Sequence, residues 1–142
     1  MKQKVTAAVV IINKAGDILA CHATNKNRDK GFDFPKGLVE PGETDVQAAL
    51  RELREETSIV LSASDLIDVG VHPHNKEKDI HLFLYKTEDI PNQTTLICQS
   101  FFELNGRQIP ECDFFEIIPK SERHKFNRVL QNKFDIIDSM NK

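Results

Sequence analysis

Apolar residues are arranged along this chain first as short strand-like runs and then as helical stripes. Val5 to Ile12 is a continuous β-branched apolar run, the pattern of a strand buried on both faces. Asn13-Lys14-Ala15-Gly16-Asp17 reads as a turn, and Ile18 to His22 returns from it as the second arm of a hairpin. Ala23 to Gly31 is polar and reads as a mobile surface loop. Phe32-Asp33-Phe34 alternates, and Pro35 is expected to end pairing there. Strands are expected again over Leu66 to Val71 and Asp79 to Lys86, around the polar loop His72 to Lys78. Leu96 to Leu104, a turn at Asn105-Gly106, and Phe114 to Ile118 complete the set.

Two segments change period. Thr44 followed by Gln47 fits a capping box, which sets a helix N-cap at Thr44. Val46, Ala49, Leu50 and Leu53 then repeat at i, i+3, i+4 and i+7 as a buried stripe. From Ser121 the pattern is helical again, with Phe126, Val129, Leu130, Phe134 and Ile137 on one side. No repeat, low-complexity tract or linker interrupts the chain. Interleaved strands and two helices predict an α/β fold, a mixed sheet packed by helices, in one domain over 1–142.

Composition narrows the partners. A formal net charge of −3 gives no basic field for gripping long nucleic acid. A small phosphorylated ligand held through a metal stays open, because the metal brings the positive charge. Cys21, Cys98 and Cys112 are widely spaced and form no CxxC pair, which argues for a reducing compartment, the cytoplasm. Val5 to Ile12 is too short to span a membrane and no signal-peptide pattern precedes it, so no membrane partner is expected. Monomer and homodimer are both open.

The first helix carries the chemistry. Glu52, Glu55 and Glu56 stand at i, i+3 and i+4 and share one face. Like charges so placed weaken a helix, and a hard divalent cation with oxygen ligands would explain them. At 100° per residue their centre lies about 120° from the apolar stripe, so the carboxylates are expected to flank the core without entering it.

The run from Gly37 to Ile59 resembles the Nudix box, G-x5-E-x7-R-E-U-x-E-E-x-G-U with U apolar. Gly37, Glu43, Arg51, Glu52, Leu53, Glu55, Glu56 and Ile59 fall on the pattern, while Ser58 replaces its last glycine. Six fixed residue types at this spacing arise by chance on the order of once in ten million starts. The resemblance implies a Nudix-type α/β/α sandwich with a partly curved mixed sheet. It also implies hydrolysis of a nucleoside diphosphate linked to another moiety, using Mg2+ or Mn2+ and an attacking water. By position Glu52, Glu55 and Glu56 would be metal ligands and catalytic residues, with the Gly37 carbonyl a further ligand. Arg51 and Glu43 would form a structural ion pair closing loop on helix. Ser58 would cost about 1–2 kcal/mol if it keeps a left-handed conformation.

Substrate choice lies outside the box. Phe34 to Glu43 is similar to the PKG-x-x-E-x-GE form of diadenosine polyphosphate hydrolases, which would set Lys36 on a phosphate. Lys78 to Leu84 is similar to their K-x-V-H-x-F-L strand, which would bring His81 to the site with Lys76 or Lys78 near the phosphates. Glu111 to Ile117 can be laid on their E-x-x-x-Y-x-W segment. Glu111 would then be an extra carboxylate, a metal ligand or general base, and Phe115 the aromatic that stacks on a base. Ile117 departs from that pattern, and Glu103 is a rival carboxylate. His72-Pro73-His74 reads as a turn. The substrate expected is a small nucleotide, a dinucleoside polyphosphate first. Nucleoside triphosphates, RNA 5′ ends and ADP-ribose stand behind it, with a non-catalytic nucleotide-binding module as the other class.

Overall fold

The computed structural model describes residues 4–23 and 31–142. The loop expected between Ala23 and Gly31 therefore lies, at 24–30, outside the described residues.

The β-branched run forms β1 (Lys4–Ile12), the middle of a mixed sheet. It pairs in parallel along its whole length with β6 (Lys78–Lys86), from Lys4↔Lys78 to Ile12↔Lys86. Seven consecutive residues of β1 are buried, as a strand covered on both faces requires. β5 (Ile67–Pro73) runs antiparallel to β6. The other edge of β1 is shared. β4 (Lys36–Leu38) pairs with Thr6 to Ala8, and β2 (Ile18–Ala23) meets β1 only at Ile12↔Ile18. The expected hairpin thus opens after one pair. β2 instead pairs with β9 (Cys112–Ile118) and β3 (Phe32–Asp33), because β4 occupies the β1 edge that a full hairpin would need. Pro35 does not end pairing either: its carbonyl accepts from Val9 N–H at 3.1 Å and β4 resumes beyond it. Proline lacks only the donor, so it serves here as an acceptor.

Each face of the sheet has its own core. Ala7, Val9, Ile11, Leu19 and Phe83 pack against Ala48, Ala49 and Leu53 of α1 (Asp45–Thr57). Ala8, Val10, Ile12, Ile80, Leu82 and Leu84 pack against Phe126, Leu130, Phe134 and Ile137 from the C-terminal segment. The α/β/α arrangement is present. The C-terminal layer is not one helix, however. It is two 3-10 stretches, Lys120–Lys125 and Arg128–Lys133, followed by α2 (Phe134–Met140). Phe126 lies extended between the 3-10 stretches and bridges to Phe32, which spends its backbone outside any helix.

The strand expected over Leu96 to Leu104 shrinks to β7 (Phe101–Leu104), joined through Asn105 and Gly106, both at positive φ, to β8 (Arg107–Pro110). The preceding residues serve α1. Ile97 N–H donates to the Thr57 carbonyl at 3.2 Å and Gln99 N–H to the Glu55 carbonyl at 2.6 Å, satisfying acceptors the helix end leaves open. No helix among the described residues is long and apolar enough to cross a membrane.

Candidate active site

Helix α1 starts as its sequence prescribes. Gln47 N–H donates to Thr44 Oγ1 at 3.2 Å, and Thr44 N–H to Gln47 Oε1 at 2.9 Å. Its buried face is Ala48, Ala49, Glu52, Leu53, Glu56 and Thr57, rotated from the expected stripe. Val46 and Leu50 are only half-buried. The carboxylates therefore enter the interior: Glu52 keeps 9% of its surface and Glu56 5%. The rotation follows from β4, which crosses over the glutamate side of the helix and covers it.

Gly37 makes that cover possible. A Cβ on Gly37 would collide with the Glu52 carboxylate, so only glycine lets the strand pass this close. Beside it, Lys36 N–H faces Glu56 Oε1 at 3.4 Å. A ligand oxygen from each of Glu52, Glu56 and Glu111 lies within 4.8 Å of the others. Glu111 comes from the far side, between β8 and β9, with its N–H on the Ser100 carbonyl at 2.8 Å. Glu55 stands outside this group, a third exposed and 3.3 Å from Arg51 Nη1.

Arg51 organises the rim. Its Nε donates to Glu43 Oε2 at 2.7 Å and its Nη2 to Glu43 Oε1 at 3.0 Å. Nη1 reaches Glu52 Oε1 at 2.8 Å, and Nη2 also donates to the Leu38 carbonyl at 3.2 Å. One guanidinium thus ties the loop after β4 to the helix and orients Glu52. The Glu43 contact first, then Glu52, raises the Arg51 pKa and holds its charge.

The buried carboxylates are strained electrostatically. Burial above all, then Cys112 and Glu52, pushes the Glu56 carboxyl up to about 12, with Lys36 opposing. Burial also raises Glu52, against Glu56 and Arg51 contacts that lower it. Converging carboxyls in a dry wall, with a third reaching in beside them, form an oxygen donor set suited to a hard divalent cation. Mg2+ or Mn2+ fits these residues chemically, because a cation would offset both the burial and the neighbouring negative charge that raise the Glu56 carboxyl.

Two cavities meet at Lys36 and Asp33. The smaller, about 120 Å³, is lined by Cys21, Asp33, Phe34, Lys36, Glu56, Glu111 and Cys112. The larger, about 700 Å³, runs under the C-terminal layer past His74, His124, Lys125 and Arg128. Lys36 Nζ is 3.1 Å from Asp33 Oδ2; burial would lower its pKa, but Asp33 outweighs it and the ammonium is stabilised. Among the described residues, the buried His74 Nδ1 has no hydrogen-bond partner.

Two expected site residues lie elsewhere. His81 has Nδ1 2.7 Å from Asp45 Oδ2 and Nε2 2.7 Å from Asp68 Oδ1, and it stacks on Phe83. One ring nitrogen is engaged at the start of α1 and the other on β5, and the ring is separated from Gly37 by the width of β1. Phe115 is half-buried against the α1-side core. The exposed aromatic is its neighbour Phe114, stacked on His22 at 4.6 Å. Sequence also missed Cys21 and Cys112 at the glutamates; a register shift in the β2–β9 pairing, which no residue type announced, turns Cys112 inward.

Comparison with known proteins agrees with this architecture. The family model described as NUDIX domain matches residues 2–117. An RNA pyrophosphohydrolase of Erythrobacter litoralis is 31% identical over 67 residues, 47% of this chain and 41% of that protein. An 8-oxo-dGTP diphosphatase of Proteus vulgaris is 33% identical over 90 residues, 63% of this chain and 80% of its own length. A bis(5′-nucleosyl)-tetraphosphatase of Mus musculus is 56% identical over 34 residues, 24% of this chain and 23% of its own. The chain thus spans less than half the length of the first and third of these relatives. Among solved structures, the NUDIX domain of Shewanella oneidensis NrtR complexed with ADP ribose superposes with a TM-score of 0.72, at 12% identity, over 100% of this chain and 90% of that one.

Proposed function

The chain belongs to the NUDIX domain family, and from that premise we propose that it is a metal-dependent hydrolase of a phosphoanhydride bond in a small nucleotide. The observation that carries this reading is the convergence of Glu52, Glu56 and Glu111 within 4.8 Å, beside a cavity of about 120 Å³ that shares Asp33 and Lys36 with a larger one of about 700 Å³. Glu52, Glu56 and Glu111 would hold Mg2+ or Mn2+, with Glu55 and the Gly37 carbonyl beside them. The cation would supply charge neutralisation at the phosphate and a more acidic water.

The chain's own groups do the rest. Arg51 fixes Glu52, so one carboxylate is oriented before substrate arrives. Glu111 is the partly exposed carboxylate of the set and accepts the proton of the attacking water. Lys36 Nζ, already paired with Asp33, turns to a phosphate oxygen at the junction of the two cavities. His124, Lys125 and Arg128 line the larger cavity and suit the remaining phosphates or the second nucleoside.

A dinucleoside polyphosphate is the substrate we favour, supported by the motif around Lys36 and the local likeness to the tetraphosphatase of Mus musculus. His81, with both ring nitrogens on carboxylates, and Phe115, packed in the α1-side core, are left out of this reading. A nucleoside triphosphate is the second reading, favoured by the longer match to an 8-oxo-dGTP diphosphatase. Three free thiols are consistent with a cytoplasmic site of action.

The test is a substrate panel with Mg2+ in oxygen-18 water, products identified by mass. Diadenosine tetraphosphate turned over faster than 8-oxo-dGTP, 5′-triphosphate RNA and ADP-ribose supports the favoured reading. Faster 8-oxo-dGTP cleavage selects the second. Tight nucleotide binding with no product would leave a non-catalytic module.

A further inference from the structure

Two thiols share the wall of the glutamate site. Cys112 Sγ lies 3.5 Å from Glu56 Oε1, and the Cys21 and Cys112 thiols are in contact. One ligand atom from each of Cys21, Cys112 and Glu56 falls within 4.8 Å of the others, and all three residues are buried. These residues come from β2, β9 and α1, so the sheet and helix fix the group from three directions. The cavity of about 120 Å³ beside them opens a path for an ion.

We propose that Cys21, Cys112 and Glu56 form a second cation site, selective for a thiophilic ion of the Zn2+ type and mutually exclusive with the hard-metal site. Tetrahedral zinc holds sulfur at about 2.3 Å, which sets neighbouring ligand atoms roughly 3.3–3.8 Å apart. The Cys112 Sγ to Glu56 Oε1 distance of 3.5 Å already falls in that range. A site with two sulfurs prefers Zn2+ over Mg2+, whereas Glu52, Glu56 and Glu111 offer only oxygens. Binding releases the two thiol protons and the Glu56 proton to solvent, leaving two thiolates and one carboxylate around the dication. Lys36 lines the same cavity and would repel a cation, but its ammonium is engaged by Asp33 at 3.1 Å. Cys98 stands outside the group, donating to the Ser100 carbonyl at 3.3 Å and accepting from Cys112 N–H at 3.4 Å. Glu56 belongs to both sets, so an ion held by the thiols withdraws it from the oxygen site. That exclusion rests on the hydrolase reading; the thiol site does not.

The reduced full chain should be titrated with Co2+ and then Zn2+ while absorbance is recorded. One Co2+ per chain should give an intense near-ultraviolet thiolate-to-metal band that Zn2+ abolishes. Cys21→Ser and Cys112→Ser should each lower the Co2+ affinity at least about tenfold, and Cys98→Ser should keep it. No thiolate band in the wild type, or a band unchanged in both serine variants, overturns the proposal. Should the serine variants misfold, differential alkylation of the wild type decides. Zn2+ should protect Cys21 and Cys112 but not Cys98; equal labelling with and without Zn2+ contradicts the site. Mn2+ binding followed by calorimetry separates the two claims: retained Mn2+ binding without a thiolate band sinks this site alone.

Discussion

Arg51 grips Glu43 through two parallel hydrogen bonds, Nε to Oε2 at 2.7 Å and Nη2 to Oε1 at 3.0 Å. The pair joins the loop after β4 to the middle of α1, and the same guanidinium holds Glu52. Arg51→Lys keeps the charge but loses the fork. It should cost about 1–2 kcal/mol in denaturant unfolding. Mn2+ affinity should fall as well, because Glu52 is no longer aimed. Unchanged unfolding and Mn2+ binding would show that the fork organises nothing.

Gly37 is a packing position as well as a loop residue. Gly37→Ala sets a methyl group into the Glu52 carboxylate, so either that carboxylate must swing off its Arg51 partner or β4 must lift from α1. Overpacking of this kind costs about 1–3 kcal/mol. Thermal unfolding should register that loss, and calorimetry should register weakened Mn2+ binding. Gly42→Ala meets no neighbouring atom but stands at φ 84°, so it should lose stability through backbone strain while keeping Mn2+ binding.

The metal-free protein should lose stability as pH rises. Glu56, raised first by burial and then by Cys112 and Glu52, holds its proton in the folded state up to about 12, against an ordinary value of 4.5. Above 4.5 the unfolded chain releases that proton and the folded one does not. The stabilisation is complete below that value and declines with rising pH by up to about 1.4 kcal/mol per unit. Chemical denaturation of wild type and Glu56→Gln from about pH 5 to about pH 8 should show a slope in the former and a flatter profile in the latter. Mn2+ should reverse the trend and release protons on binding, since its ligands must be ionised.

Much of this was legible in the sequence for local reasons. The Thr44–Gln47 capping box, the β1 run and the turn at Asn105-Gly106 each depend on residues adjacent in the chain, and each stands where it was expected. What failed depended on distant partners. The glutamates are buried because β4 covers them, and β4 was hidden behind Pro35. Leu96 to Ser100 reads as a strand by composition, yet Ile97 and Gln99 spend their donors on the end of α1. His81 matches a family pattern, but Asp45 and Asp68, neither of them near it in sequence, hold both of its nitrogens.

Ser58 keeps the left-handed conformation of the glycine it replaces, at φ 71°, and its Oγ donates to the Ile97 carbonyl at 2.6 Å. A non-glycine there costs about 1–2 kcal/mol, and the hydrogen bond returns about 0.5–1.5 kcal/mol. Ser58→Gly should therefore shift stability by less than about 1 kcal/mol, whereas Ser58→Ala loses the bond and keeps the strain, costing about 1 kcal/mol. Equal stability of all three proteins in urea would show that the Ile97 contact contributes nothing.

His81 is a structural clamp between β5 and the start of α1. His81→Ala should lower the unfolding midpoint while turnover per folded molecule stays within about threefold, as expected of a residue outside the reacting geometry. Loss of turnover with unchanged stability would return His81 to the site.

The central claim is that Glu52, Glu56 and Glu111 together hold the cation that supports phosphoanhydride hydrolysis. Its most direct test is the turnover of diadenosine tetraphosphate by wild type and Glu56→Gln at saturating Mg2+, both proteins verified as folded. Glu56→Gln should lose at least about a hundredfold in kcat, the scale at which removal of one transition-state-stabilising group registers. Full turnover by Glu56→Gln would contradict the claim.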